Sequence, residues 1–440
     1  MKINDHPTVA LRREFTDWRR WWSRAVVVSA AALAGLTVVA FGWAGEHAAA
    51  LFGQLRGAYW WLPLLWTPLC AGAIVWATRR YAPGAAGSGI PQVMAALDSG
   101  VAPAQHGLFV SLRLSAAKVV LTTWGLLAGL SLGREGPSVQ IAAGMMLAIH
   151  RFLPKRSTVS AHGLLVAGGA AGIAAAFNTP LAGVMFAIEE LSRTPEQRSS
   201  GLILTAIVLA GVIAVSANGN ATYFGIIHAD GVGLKMLWAG LLVTLCSGLA
   251  GGLFSRLLIN SLNPLSNERF GRMRRRFPVR FAIGCGLAVA VIGVVTGGAA
   301  FGSGYSHTRA MLNGADDLPA IYLLLKFIAT WLTTWTGVPA GIFAPALAIG
   351  ASLGDEVSRL SQFPHAPALI ALGMVGFLAA VTQAPLTAFI IVMEMVDGHT
   401  MVLSLMACAL VASGVSRLLS RPLYGVLAGM QLQRLPAPAA

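Results

Sequence analysis

The pentamer Gly133–Pro137, Gly-Arg-Glu-Gly-Pro, places two adjacent charged side chains inside a long apolar stretch. A charge at the centre of a bilayer costs about 2.5–3.5 kcal/mol on insertion scales, so we expect Arg134 and Glu135 to have a function that offsets this cost. Gly136 and Pro137 suit the first turn of a helix, whose unpaired N–H groups and positive dipole end attract anions. The pentamer therefore predicts an anion site built from backbone groups.

Two other pentamers also begin with glycine and end with proline. They are Gly87–Pro91, Gly-Ser-Gly-Ile-Pro, and Gly341–Pro345, Gly-Ile-Phe-Ala-Pro. One such pentamer is a weak signal, because glycine and proline near a helix start often mark only a turn. All three in one chain predict three helix N-termini that converge on one small anion.

The composition excludes a water-soluble globular protein. Hydrophobic residues make up 56% and charged residues 11% of the 440 residues, whereas soluble domains carry about 25% charged residues. Several charge-free runs exceed the roughly 20 residues that span a bilayer, and some are long enough for more than one helix. These runs are Ala25–Gly45, Ser199–Ala229, Phe281–Thr308, Phe327–Gly354 and Ser361–Met393. The sequence predicts an all-α polytopic membrane protein.

The formal net charge of +14 comes from clustered basic residues, whose placement argues against a nucleic acid partner. The clusters lie in short polar connections, which the positive-inside rule places in the cytoplasm. They are Arg12, Arg13, Arg19, Arg20 and Arg24; Lys155 and Arg156; and Arg269, Arg272, Arg274, Arg275, Arg276 and Arg280. We therefore expect the N-terminus and the 260–280 connection to lie inside. The compact loops favour a bacterial inner membrane.

An internal repeat relates the two halves of the chain. The aligned pairs are Pro180 with Pro385 and Glu189 with Glu394, each 205 residues apart, and Gly133 with Gly341 and Pro137 with Pro345, each 208 residues apart. Transporters use inverted repeats with broken helices to bring helix ends to the bilayer midplane. The repeat therefore favours a transporter.

The three pentamers, together with Arg-Pro-Leu-Tyr at Arg421–Tyr424, resemble the signatures of the CLC family of chloride channels and chloride/proton antiporters. The resemblance extends from about Tyr81 to Tyr424, with one small departure at Ala340, where relatives commonly have glycine. It implies a homodimer whose subunits each contain a pathway between two inverted halves of tilted, broken helices.

The domain boundaries follow from the resemblance and the charge pattern. We expect a basic interfacial helix at 1–24, membrane halves at 25–215 and 230–425, a connection at 216–229 and a cytoplasmic tail at 426–440. That tail is too short for the nucleotide-binding domains that many relatives carry, so nucleotide regulation through such domains is not expected.

The resemblance also assigns a central anion site. It implies that Ser88 and Tyr424 supply hydroxyl groups and that the backbone N–H groups of Ile342 and Phe343 complete the site. A serine at the position of Ser88 goes with chloride in this family and a proline goes with nitrate, so chloride is the expected ion. The further candidate anion-binding residues are Gly89, Ile90, Arg134 and Gly136.

Each of the glutamates near these segments has two interpretations. The Glu135 carboxylate can compete with an anion for a helix N-terminus, or it can form a structural ion pair with Arg134. Glu189 and Glu190 can be the polar end of a helix, paired with Arg193. The resemblance instead makes Glu135 the external gate and proton acceptor, and Glu190 the internal proton-transfer residue of the antiporters.

Lys118 is a further charge near membrane depth. Its ammonium group can raise the potential along the anion path, or it can extend to the membrane interface. The sequence leaves both interpretations open.

The resemblance, together with the residues, therefore implies a transporter that exchanges chloride for protons and is not an enzyme. A passive chloride channel, or a member tuned to fluoride or nitrate, is the alternative within the fold. An intramembrane hydrolase that uses Ser88 with His106 or His162 is the alternative from another class. We expect no cofactor and no metal, because the nine histidines show no paired-ligand spacing.

Overall fold

The computed structural model describes residues 18–154, 157, 159–192, 200–219, 222–225, 235–266, 268–315, 318–362, 365–433 and 435. These residues form α-helices joined by short turns and contain no β-strand, which confirms the all-α prediction. The helices of the first half are α1 (Trp18–Ala58), α2 (Leu62–Tyr81), α3 (Ile90–Ala96), α4 (His106–Phe109), α5 (Leu112–Leu127), α6 (Glu135–Ala148), α7 (Ala161–Phe177), α8 (Pro180–Phe186) and α9 (Ser200–Asn218). Those of the second half are α10 (Lys235–Leu262), α11 (Arg269–Arg276), α12 (Pro278–Val295), α13 (Tyr305–Leu312), α14 (Ile321–Thr336), α15 (Phe343–Ser361), α16 (Ala366–Thr382), α17 (Pro385–Met395), α18 (Val402–Leu419) and α19 (Leu423–Leu432).

The N-terminal segment differs from its prediction. Helix α1 runs without a break for 41 residues from Trp18 to Ala58, whereas the sequence predicted an interfacial helix that ends at Arg24. No proline interrupts this segment, so nothing forces a separate helix to begin at the membrane boundary. A helix of this length measures about 60 Å and exceeds the roughly 30 Å hydrocarbon core. Residues 1–17 lie outside the described residues.

Many of the other helices are short because the long apolar runs are broken. The run at 327–354 is divided where α14 ends at Thr336 and α15 begins at Phe343. In the part of the chain that the structure describes, five helical stretches are long and apolar enough to cross a membrane: Trp21–Ala58, Pro103–Leu127, Leu237–Leu262, Pro278–Val295 and His399–Leu419. They confirm the prediction of a multi-pass membrane protein.

Two closely packed helix pairs form the centre of the molecule. Helix α6 packs on α7, and α15 packs on α16. A Cβ atom on Gly172 of α7 would lie 2.5 Å from the Ser138 carbonyl oxygen, and one on Gly354 of α15 would lie 2.2 Å from that of Leu369. Only glycine permits such backbone contact. The two pairs thereby hold the N-termini of α6 and α15 at the middle of the fold.

Two glutamates link the halves in a reciprocal way. The Glu189 carboxylate accepts hydrogen bonds from the N–H groups of Leu386 (3.1 Å) and Thr387 (2.7 Å), at the start of α17. The Glu394 carboxylate accepts from the N–H groups of Leu181 (3.1 Å) and Ala182 (2.8 Å), at the start of α8. Each carboxylate thus satisfies two unpaired donors of the other half's helix. Glu189 and Glu394, which the sequence repeat aligns, therefore make equivalent contacts in the two halves.

Candidate anion-binding site

The three pentamers meet at one place, as the sequence predicted. Gly133 and Gly341 exchange two backbone hydrogen bonds, with N–O distances of 2.8 and 2.9 Å. The Gly87 N–H donates to the Val338 carbonyl, and the Ala340 N–H donates to the Gly87 carbonyl, both at 3.1 Å. These bonds tie the N-termini of α3, α6 and α15 together, so their unpaired N–H groups surround a shared space.

Glycine allows the closest approach within this junction. Gly89 precedes α3 with φ of 108°, which disfavours residues that carry a Cβ. A Cβ on Gly89 would lie 2.7 Å from the Gly136 carbonyl oxygen, and one on Gly136 would lie 2.3 Å from Ser88 Oγ. Ser88 therefore sits directly on the first turn of α6. Ile90, the first residue of α3, is fully buried beside it.

Two hydroxyl groups face this space without a hydrogen-bond partner among the described residues. Ser88 and Tyr424 are 8% and 1% exposed, and neither hydroxyl makes a hydrogen bond to protein. The Tyr424 hydroxyl lies close to Ser88, but the geometry of the pair is not that of a hydrogen bond. A buried donor without a partner costs about 1–3 kcal/mol. A small anion that accepts from both hydroxyls would remove that cost.

The start of α15 supplies the third side of the space. Ile342 and Phe343 are buried, and the first-turn N–H groups of this helix have no partner within it. The Phe343 ring stacks on Tyr424 with centroids 6.0 Å apart, which orients the tyrosine. The site thus combines neutral donors with a helix dipole and contains no lysine contact, which suits a weakly held monovalent anion.

The Glu135 carboxylate lies at the same helix end. Glu135 is 1% exposed, and its Oε2 accepts a hydrogen bond from the Ala344 N–H at 3.4 Å. A Cβ on Gly133 would lie only 2.3 Å from this oxygen, so Gly133 leaves the room that the carboxylate occupies. The side chain can therefore take the place of an anion at α15.

The Arg134 side chain lines the space outside Glu135 and makes its hydrogen bonds to α1 and Tyr223, so its predicted contact with the anion stays a prediction. Its guanidinium group donates to the Gly42 carbonyl (2.5 Å), the Glu46 carboxylate (2.7 Å) and the Tyr223 hydroxyl (3.5 Å). Its ion pair is thus with Glu46 of α1 and not with Glu135. The Glu135 carboxylate is therefore not held in a salt bridge with Arg134, and its hydrogen bond is to the start of α15.

A cavity of about 380 Å3 lies outside Glu135, and Tyr223 and Tyr305 form part of its wall. The Tyr305 hydroxyl donates to the Tyr223 carbonyl at 2.7 Å, and the two rings pack edge to face 4.7 Å apart. Neither residue was predicted from the sequence. Tyr223 lies in the predicted connection at 216–229, and no local pattern connects it with Arg134.

Glu190 does not line this cavity. It belongs to a π-helical turn, Ala187–Leu191, that follows α8 and is half-buried. Glu135 and Glu190 both lie within electrostatic range of Tyr424. The neighbouring Glu189 caps α17, so the two adjacent carboxylates have different surroundings. Arg193, the predicted partner of this pair, lies outside the described residues.

Lys118 is buried within the protein and does not extend to the membrane interface. It is 0% exposed, and its ammonium donates to the Ala85 and Gly87 carbonyls, both at 2.7 Å. These carbonyls belong to the segment that ends in Ser88. The lysine therefore fixes the loop that presents the serine hydroxyl.

Lys326 makes the same arrangement in the second half and was also missed. It is 0% exposed and donates to the Ala300 (3.0 Å) and Gly302 (2.8 Å) carbonyls. It follows Lys118 by 208 residues, the separation of the pentamer glycines, and its carbonyl partners lead into a second Gly-Ser-Gly at 302–304, of which Gly302 is the first residue. The repeat was thus a signal that could have found it.

The geometry gives no support to a hydrolase. Ser88 Oγ has no hydrogen-bond partner among the described residues, so neither His106 nor His162 is placed as its base. The described residues also contain no group of three His, Cys, Asp or Glu side chains that could hold a metal.

Comparison with known proteins agrees with this geometry. The family described as voltage gated chloride channel matches residues 70–417. The H+/Cl− exchange transporter ClcA of Citrobacter koseri is 31% identical over 398 residues, which cover 87% of this chain and 81% of the relative. ClcA of Cronobacter sakazakii is 30% identical over 427 residues, which cover 92% and 89%. The solved structure of a slow cyanobacterial Cl−/H+ antiporter has the same fold, with a TM-score of 0.81 at 24% identity over 93% of this chain and 98% of that one. The chain therefore belongs to the voltage-gated chloride channel family, the CLC family.

Proposed function

We propose that this protein is a secondary active transporter that exchanges chloride for protons across a bacterial inner membrane. The observation that carries the proposal is the position of the Glu135 carboxylate, which lies on the N-terminus of α15 beside the two unpartnered hydroxyls. The relatives that are 30–31% identical are named as H+/Cl− exchange transporters, which supports this function over a passive channel.

Chloride binding follows from the donors that surround the central space. The hydroxyls of Ser88 and Tyr424 and the first-turn N–H groups at Ile342 and Phe343 replace part of the ion's hydration shell. All of these donors are neutral, so the ion is held without the cost of separating it from a full positive charge. Such a site binds chloride and also releases it.

Competition between Glu135 and chloride supplies the gate. When ionised, the carboxylate is attracted to the same helix N-terminus as the anion and blocks the path to the outer cavity. When protonated, it loses that attraction and becomes free to leave. Chloride passage and proton uptake are thereby joined at one side chain.

Glu190 supplies the proton from the other side. Its half-buried carboxylate does not line the outer cavity but lies within electrostatic range of Tyr424, which supports a proton route that differs from the chloride path. A proton held at Glu190 and passed to Glu135 completes one exchange cycle. Chloride itself does not need Glu190.

The test compares Glu190→Gln with Glu268→Gln in liposomes. Glu268 is an exposed carboxylate before α11, so its variant removes one charge without touching the proposed route. We expect Glu190→Gln to abolish chloride-driven proton movement while chloride flux continues, and Glu268→Gln to keep both. Coupled proton movement that survives Glu190→Gln would show that this residue is not the internal proton donor.

We also propose that the protein is a homodimer. Helices α8 and α17 pack together and expose an apolar surface that includes Leu181 and Leu386. Light scattering of detergent-solubilised protein should give twice the chain mass of 45.8 kDa. Bulky substitutions, Leu181→Trp with Leu386→Trp, should shift the protein toward the monomer. A monomeric mass for the unmodified protein would refute the proposed dimer.

A further inference from the structure

The short helix α11 presents an unusual concentration of arginine. Its sequence is Arg-Phe-Gly-Arg-Met-Arg-Arg-Arg, and Arg280 follows in the first turn of α12. An open groove of about 840 Å3 is lined by Arg269, Arg272, Met273, Arg275, Arg276, Phe277 and Arg280. Its lining contains five guanidinium groups and no carboxylate. The groove is therefore strongly positive.

Contacts with the neighbouring segments fix α11 in this orientation. The Arg275 guanidinium donates to the Pro264 (3.0 Å) and Ser266 (2.6 Å) carbonyls of the preceding turn. The Phe270 ring packs edge to face on Trp335 of α14, with centroids 6.0 Å apart. Because these contacts hold the helix, the arginines of the groove are presented to their surroundings at a defined spacing.

Most of these arginines have no acidic partner. Among the described residues, no carboxylate pairs with Arg269, Arg272, Arg276 or Arg280. The guanidinium groups of Arg276 and Arg280 lie 5.3 and 5.2 Å from the centre of the Phe277 ring. Cation–π contact holds both groups on one ring, so two like charges are kept close together. An anion between them would relieve their repulsion.

The position of α11 in the chain indicates which kind of anion the groove binds. The spanning helix α12 begins at Pro278, directly after the groove residue Phe277. The groove therefore lies at the boundary of the membrane, where phosphate headgroups are concentrated. Phe270 and Met273 are 62% and 44% exposed and suit insertion among the upper acyl chains. Guanidinium forks bind phosphate oxygens in a bidentate way.

We infer that this groove, which we call the arginine groove, is a binding site for an anionic phospholipid of the adjacent leaflet. The lipid phosphate contacts Arg269, Arg272, Arg276 and Arg280, and its acyl chains lie along the exposed apolar side chains. The inference does not depend on the proposed exchange activity.

The test measures retained lipid on the full chain. Protein reconstituted in equal parts of phosphatidylcholine and phosphatidylglycerol is extracted in mild detergent, and bound lipid is counted by native mass spectrometry. Each groove arginine should contribute roughly fivefold to affinity. We therefore expect retained phosphatidylglycerol to fall at least about fivefold in R272Q/R276Q, and further in the variant R269Q/R272Q/R276Q/R280Q. The milder double variant keeps the test available if the fourfold variant does not fold.

A matched variant controls for the general loss of charge. R80Q/R151Q/R256Q/R417Q also removes four positive charges, but from scattered positions outside the groove, so it should retain as much phosphatidylglycerol as the unmodified protein. Equal losses in the two fourfold variants would overturn the inference. Displacement of the lipid by millimolar glycerol phosphate would also overturn it, because the groove would then be a site for a soluble phosphate.

Discussion

Gly133→Ala is a direct perturbation of the gate because it leaves every chemical group of the site in place. The Cβ of alanine would lie 2.3 Å from Glu135 Oε2, 3.1 Å from Pro345 Cδ and 3.4 Å from Ala344 Cβ. The two carbon contacts need shifts of a few tenths of an ångström at most. The carboxylate oxygen must move by about 1 Å to reach ordinary contact, and its free rotation makes this movement cheap.

The size of the effect follows from the bond that this movement breaks. Hydrogen bonds to charged groups contribute about 1.5–3 kcal/mol, and the 3.4 Å bond from the Ala344 N–H lies at the weak end of that range. A loss of about 1–2 kcal/mol shifts the equilibrium between the carboxylate bound at the start of α15 and the carboxylate released from it by roughly 5- to 30-fold. We therefore expect the ratio of protons to chloride ions to fall at least about fivefold, with chloride flux maintained.

Chloride and pH electrodes on the same liposome suspension measure this ratio. Gly107→Ala is the matched control, since a Cβ there meets nothing within 4 Å. In the Glu135→Gln background, Gly133→Ala should have no further effect on coupling, because the carboxylate it displaces is already gone. An unchanged ratio in Gly133→Ala would refute the placement of the carboxylate as the gate.

Two other sets of contacts give predictions for stability. Glu189→Ala and Glu394→Ala should each lower the free energy of unfolding by about 1–2 kcal/mol, because each leaves two N–H groups of a helix start without an acceptor. In thermal unfolding in detergent, the glutamine variants should lose less stability, since glutamine keeps an acceptor. Equal losses for the alanine and glutamine variants would contradict the capping role. Lys118→Met and Lys326→Met should each cost about 1–3 kcal/mol, because two buried carbonyls lose their donor. Unfolding temperatures equal to that of the unmodified protein would show that these lysines are not anchors.

The convergence of the three helix N-termini could be predicted because local residues mark where each of these helices begins. Glycine and proline at fixed spacing specify where a helix can begin, and the repeat specifies that Gly133 and Gly341 play equivalent parts. The pairing of Glu189 with Glu394 in the alignment likewise corresponds to their reciprocal caps. Such features depend on neighbours in the chain or on its internal symmetry.

Other features depend on tertiary contacts that no local pattern reveals. The direction of the Arg134 side chain is set by Glu46, which lies 88 residues earlier in the chain. Tyr223 is placed at the outer cavity by contacts with Arg134, 89 residues earlier, and Tyr305, 82 residues later. Lys326 is a different case, since a search for residues 208 positions after each charged residue of the first half would have found it.

The central claim is that chloride and protons move in exchange through one site. The most direct measurement places the purified protein in liposomes with a chloride gradient, a pH electrode outside and no other proton pathway. We expect protons to move uphill, against their own gradient, at the expense of the chloride gradient, and to stop in Glu135→Gln. Chloride efflux without proton movement would contradict the claim and make this member of the family a passive channel.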